Sequence, residues 1–335
     1  MQAAIYGLSG PELTVNERAF FAAADPAGYI LFKRNCVTQE QLQRLTSDLR
    51  DVHGRADLPI LIDQEGGRVV RMQPPEWPAF PRGEAFDRLY RLAPSSAIEA
   101  ARMNARALGL VLKAAGVNVN CLPMLDVRQP GASDIVGDRA MGSEPMQVAA
   151  LGRAVLDGMR SAGVVGVIKH IPGHGRALVD SHKELPIVTA TDAELEVDLE
   201  PFERLRDAPM GMVAHILFTA WDADRPSSQS PRIIEEIIRG RIGFGGFLMT
   251  DDINMEALSG SVGERSAAAL AAGCDATLHC SGKLDEMVDV ANHVGALTAE
   301  AEARLARAMA GAMVEGEGPE LSEATAKRDE LLALA

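Results

Sequence analysis

The chain has 335 residues, of which 47% are hydrophobic and 24% charged. This is ordinary globular composition, which excludes disorder, collagen and coiled coil as descriptions of the whole and allows two domains or one large α/β barrel. Thirty-three basic residues against 47 acidic ones leave a net charge of −14, which argues against a nucleic-acid sleeve, because phosphate binding needs a basic surface.

The first residues, MQAAIYGLSG, carry no basic segment and no long apolar run, so no secretory signal is expected. No uncharged apolar stretch reaches the ~18 residues of a membrane span. Cys36, Cys121, Cys274 and Cys280 form no CxxC pair and suit a reducing compartment. The expected protein is cytoplasmic, with no membrane contact.

Eight strands are predicted in chain order: AAIYGL (3–8), GYILF (28–32), PILID (59–63), VNVNCL (117–122), VVGVIKH (164–170), MGMVAHI (210–216), GGFLMTD (245–251) and DATLHC (275–280). Most are apolar at consecutive positions, as strands buried on both faces are. Helices are predicted between most of them. Thr38 caps 39–53, with Gly54 at its end, and a long helix over 96–115 stops at Gly116. Ser143 is read as the cap of 144–162, ahead of Gly163. Ser230 and Pro231 open 231–240, and 262–272 stops at Gly273. The recurring helix, glycine, apolar strand predicts a single (β/α)8 barrel over 1–335, with room for irregular strand order or direction near the N-terminus. The Ala/Glu/Leu-rich segment 298–335 is expected as helices packed outside. A doubly wound open sheet is the second architecture, weakened because no GxGxxG follows an early strand.

A barrel places its chemistry at the carboxyl ends of its strands. Polar residues stand at four of the eight predicted strand ends: Asp63, the pair Lys169 and His170, His215, and Asp251. The segment KHIPGHGRALVDSHKELP (169–186) holds His170, His174 and His182, three of only seven histidines, with Asp180 two residues before His182. Asp180 beside His182 would fix its tautomer and make it a positioned general acid/base. His and Asp at mixed spacing also suit zinc, so a metal-dependent hydrolase using His170, His174, His182 and Asp251 stays open. In GFLMTDDINMEAL (246–258), Asp251 is expected to face the barrel mouth, and Asp252 to act as a cap or supporting acceptor. Gly66 and Gly67 mark a tight turn before Arg68 and Arg71, and Arg139 lies in the loop IVGDRAMG.

Together these segments resemble the bacterial β-N-acetylglucosaminidases of glycoside hydrolase family 3, the NagZ type of peptidoglycan recycling. The matching stretches are GYILFKRN (28–35), LIDQEGGRVVR (61–71), VNCLPMLDV (119–127), VGDRAMG (136–142), KHIPGHGRALVDSH (169–182), MVAHILF (212–218), TDDINMEAL (250–258) and AAGCDATLHC (271–280). The KH-x-PGHG-x4-DSH stretch is the specific one. The resemblance implies one barrel domain, a retaining hydrolase and no cofactor or metal. It gives Asp251 the role of nucleophile and makes Asp180 and His182 the acid/base dyad. Asp63, Arg71, Arg139, Lys169 and His170 fall on its sugar-binding set. It further implies a monomer whose partner is a small carbohydrate, GlcNAc-anhydroMurNAc muropeptides. Aromatic residues make up only 4%, which suits a one-sugar pocket better than a polymer groove. Ile171, Ser281 and Arg128 depart from the family pattern and bear on substrate fit. A non-catalytic sugar-binding barrel is the third reading. Aglycone preference, and hydrolysis as against transfer to phosphate or another sugar, are left open by the sequence.

Overall fold

The computed structural model describes residues 1–181, 183–313 and 317–335. Among the described residues there are ten strands: β1 (Gln2–Gly7), β2 (Pro26–Leu31), β3 (Ile60–Ile62), β4 (Val119–Asn120), β5 (Val165–Ile171), β6 (Ile187–Val188), β7 (Met210–Val213), β8 (Leu217–Phe218), β9 (Phe247–Asp252) and β10 (Ala276–His279). The α-helices are α1 (Val15–Ala24), α2 (Gln39–His53), α3 (Gly83–Leu92), α4 (Pro94–Ala114), α5 (Pro145–Ser161), α6 (Asp192–Arg204), α7 (Val262–Ala272), α8 (Leu284–His293), α9 (Ala299–Ala310) and α10 (Leu321–Leu332).

Eight strands close into a barrel in the order β1, β2, β3, β4, β5, β7, β9, β10, and β10 pairs back to β1. Each of the eight predicted strands has its counterpart here. Every barrel pairing is parallel and follows chain order, so the irregularity allowed for near the N-terminus does not occur. Tyr6 of β1 stands level with Tyr29 of β2 and with His279 of β10. β6 and β8 form a small parallel sheet of their own. That sheet ties the far end of the loop after β5 to the segment after β7.

The strands are apolar on both faces because both faces are buried. In β1, Ala3 and Ile5 join an inner cluster with Leu61, Val119, Val167, Met212 and Met249. Ala4 and Tyr6 alternate with them and join the layer between barrel and helices. This period of two is what a pleated strand dictates. Leu297, Ala301, Leu305, Ala308 and Met309 belong to the inner cluster as well. Thus α9 closes the amino end of the barrel, while α10 packs outside against α4. The segment 298–335 is therefore divided between the two positions, not wholly external.

The caps follow the sequence closely. Thr38 accepts from the Gln41 N–H, and Gly54 ends α2 in the left-handed region. Ser261 and Glu264 form a reciprocal capping box on α7, an arrangement worth ~1 kcal/mol. Ser143 does not cap α5: Glu144 holds the cap position without a side-chain bond, and Pro145 begins the helix. The helix predicted over 231–240 opens on Ser230, whose Oγ accepts the Ile233 N–H at 3.1 Å. It then widens, and Ile233–Arg241 has π geometry. No helix among the described residues is long and apolar enough to cross a membrane.

Candidate active site

The carboxyl ends of the strands surround a cavity of about 250 Å3. Asp63, Arg71, Arg139, Lys169, His170 and Asp251 all line it. Six sequence-predicted residues from four separate segments are thereby gathered at one place. Asp180 lies on the loop between β5 and β6, next to Ser181, which also lines the cavity. The Asp180 carbonyl accepts from Lys183 and Glu184 N–H at 2.9 and 3.2 Å. His182 lies outside the described residues.

One wall is a chain of alternating charge. Arg71 Nη2 lies 3.1 Å from Asp63 Oδ2, and Lys169 Nζ lies 2.9 Å from Asp63 Oδ1. Lys169 Nζ also meets Glu65 Oε1 at 2.6 Å. Glu65 in turn receives Arg139 through Nε at 2.9 Å and Nη2 at 2.7 Å, the strong two-pronged pairing of guanidinium with carboxylate. Lys169 is only 2% exposed, and a buried ammonium needs such partners. Burial disfavours its charge, but Asp63 and Glu65 override that and hold its pKa above the usual lysine range. Burial likewise pushes both carboxyls up, yet Lys169 with Arg71 keeps Asp63 below its ordinary value. Arg139 with Lys169 does the same for Glu65. Within this wall three cations stand against two acids. Glu65 is the functional neighbour that sequence reasoning missed. Its signal was an acid followed by two glycines at a barrel mouth. Gly66 and Gly67 make the turn there, with φ of 107° and 56°.

A second buried acid stands behind the histidines. Asp126 is 0% exposed. Its Oδ2 lies 2.7 Å from His170 Nδ1, and its Oδ1 accepts the backbone N–H of His174 at 2.6 Å and of His170 at 3.3 Å. Burial would raise Asp126, but His170 and these bonds hold it below the usual carboxylate range. The loop can lie this close because position 175 is glycine: a Cβ there would stand 1.9 Å from the Val127 carbonyl oxygen. His174 is buried, its Nε2 3.4 Å from Ser181 Oγ. Burial and the neighbouring His170 lower its pKa. Asp126 was also missed, although a carboxyl between Leu125 and Val127 in an apolar run demands a partner.

Asp251 and Asp252 end β9. The Asp252 N–H donates to Asp251 Oδ1 at 2.8 Å. Both residues line the cavity. Asp252 Oδ1 also accepts the Asn254 and Cys280 N–H groups at 3.0 and 3.2 Å, so it ties β9 to the end of β10. Burial, aided by the like charge of Asp251, pushes Asp252 up to about 6. His215 is a brace: its Nδ1 meets Ser228 Oγ at 2.7 Å, and its Nε2 donates to the Asp252 carbonyl at 3.1 Å. Burial lowers its pKa, which keeps the ring neutral.

The departures from the family pattern have local accounts. Ile171 is fully buried. Ser281 Oγ donates to Glu286 at 2.6 Å. Arg128 turns to Asp87 at 3.3 Å. Arg68 pairs with Asp138 at 2.8 Å. Among the described residues, no group of three or more His, Cys, Asp or Glu side chains is placed to hold a metal ion.

A closed parallel eight-stranded barrel thus carries, at the carboxyl ends of its strands, a carboxylate and a fixed set of cations around one cavity, an arrangement able to bind and cleave a small polar substrate. The profile of the Glycosyl hydrolase family 3 N terminal domain matches residues 8–312. A β-hexosaminidase of Bordetella avium (strain 197N) is 36% identical over 279 residues, covering 82% of this chain and 79% of that one. One from Methylococcus capsulatus is 38% identical over 282 residues, 83% of this chain and 82% of that one. The crystal structure of NagZ from Neisseria gonorrhoeae with N-trifluoroacetyl-D-glucosamine superposes with a TM-score of 0.87. It is 28% identical and covers 100% of this chain and 98% of the other. The chain belongs to glycosyl hydrolase family 3, and within it to the β-hexosaminidase type.

Proposed function

We propose that this chain is a retaining exo-β-N-acetylglucosaminidase that removes a terminal, non-reducing GlcNAc from muropeptide fragments. The observation that carries this reading is the convergence of Asp63, Arg71, Arg139, Lys169, His170 and Asp251 on one cavity of single-sugar size. Arg71, Arg139 and Lys169 grip sugar hydroxyls by charge-assisted bonds, Asp63 accepts from those hydroxyls, and His170 adds a ring contact. Asp251 attacks the anomeric carbon as the glycosidic C–O bond breaks, and His182 gives its proton to the leaving oxygen. A water then attacks the glycosyl-aspartate, His182 takes its proton, and the Asp251 carboxylate is released. Asp180 stabilises the imidazolium that gives up its proton in the first step and is restored in the second. A histidine acid/base spares the site a second carboxyl held protonated at neutral pH.

The four cysteines are all free, which fits a reducing compartment. That the Neisseria relative was solved with an N-acylated glucosamine supports an N-acetyl sugar here. The test compares kcat/KM on the 4-nitrophenyl β-N-acetylglucosaminide and β-glucoside, with mass spectrometry of digested anhydro-muropeptides. A site built around the acetamide favours the first substrate by up to ~10⁴-fold. Equal rates on the two, or no loss of an N-acetylhexosamine from the muropeptide, would refute the reading.

A further inference from the structure

The buried carboxylate of Asp126 is needed by none of the steps above, yet it touches both ends of the HIPGH segment. A carboxylate only accepts hydrogen bonds, so the proton it shares with His170 at 2.7 Å sits on the ring's Nδ1. Nδ1 is turned inward and His170 lines the cavity, which leaves Nε2 as the ring atom for a ligand. We propose that Asp126 is a positioning residue of the hydrolase: it fixes the proton on Nδ1 of His170, so that Nε2 is presented to the sugar. The same carboxylate accepts the His170 and His174 N–H groups through Oδ1 at 3.3 and 2.6 Å. It therefore cannot rotate away without stranding two buried donors. Asp126 arrives from the β4 loop and His170 from β5. The pairing thus fixes the ring across two strands, not within one flexible loop.

This inference rests on His170 being a sugar contact, and the experiment separates the two ideas. Asp126→Asn can keep Oδ1 on the two backbone N–H groups. Its amide would then face Nδ1 as a donor and drive the proton to Nε2. Imidazole ¹⁵N NMR of the full-length protein should show His170 protonated at Nδ1 in the wild type and at Nε2 in D126N, with both proteins folded. D126N should lose roughly a hundredfold in kcat/KM, the scale of a misplaced substrate contact. In a His170→Gln background the same substitution should cost less than threefold, because its target is gone. An undiminished loss in that background, or an unchanged His170 tautomer in D126N, would overturn the proposal. If H170Q alone retains wild-type kinetics, the sugar contact itself is wrong and Asp126 has nothing to position.

Discussion

Glu65→Gln is the sharpest test of the charge chain. Glu65 is buried and accepts three N–H bonds from cations, at 2.9 and 2.7 Å from Arg139 and 2.6 Å from Lys169. Gln keeps the shape but removes the charge and puts an NH2 where one cation now donates. The chain then holds Arg71, Lys169 and Arg139 against Asp63 alone. Breaking a buried pair from one side costs about 3–5 kcal/mol. Unfolding entropy near ~2.1 cal/mol/K per residue gives about 0.7 kcal/mol/K for 335 residues. The expected fall in Tm is therefore about 4–7 °C, read by scanning calorimetry. Glu65 titrates below its ordinary value in the fold. Its contribution is thus present above the unfolded carboxyl value and lost as pH falls through the folded one. The gap between wild type and variant should hold from pH 8 to about 5 and narrow in stronger acid. KM on the nitrophenyl N-acetylglucosaminide should rise more than kcat falls, since Lys169 and Arg139 lose fixed positions for the sugar. A Tm within 1 °C of wild type at pH 7 would refute the claim that Glu65 holds these cations.

Asp251→Ala should abolish turnover while leaving the protein folded, and a 2- or 5-fluoro sugar should label Asp251. Peptide mapping that finds the label on Asp252 instead would reassign the nucleophile. His182→Ala should slow an unactivated disaccharide far more than the nitrophenyl glycoside, whose leaving group departs without a proton; equal losses would argue against His182 as the acid. Asp252→Asn should stabilise. Asp252 is raised from 3.8 to about 6, so folding loses stability as pH rises through that window. Allowing for its partly open position, the gain above pH 7 is about 2 kcal/mol, or about 3 °C, and it should vanish near pH 4 in thermal melts.

The barrel was legible because burial on both faces writes a consecutive apolar run. Each such run, from AAIYGL to DATLHC, became a barrel strand. Glycines and caps marked the helix ends for the same local reason, as at Thr38 and Gly54. Three things were not legible. The π geometry of Ile233–Arg241 has no periodicity distinct from an α-helix over nine residues. The division of 298–335 between barrel floor and outer layer depends on which apolar stripe meets the open end, which one helix cannot state alone. Ser143 looked like a cap by residue type, but Glu144 takes the position directly before Pro145.

The site shows the same division in sharper form. Residue types at strand ends identified Asp63, Lys169, His170 and Asp251, which face the cavity, while His215, also at a strand end, is a buried brace whose partners are Ser228 and the Asp252 carbonyl. The same logic passed over Glu65 and Asp126, whose partners lie on other strands: Glu65 after β3 holds Lys169 of β5, and Asp126 after β4 holds His170 of β5. Pairing across strands is set by barrel order, and barrel order exists only once the chain has closed. These two acids stand behind the ligand-facing residues and fix them in advance. The ordering of Lys169, Arg139 and His170 is therefore carried by folding and need not be drawn from the energy of binding a ligand. A cavity of about 250 Å3 offers little surface from which to recover such a cost, so a site this small has to be built rigid.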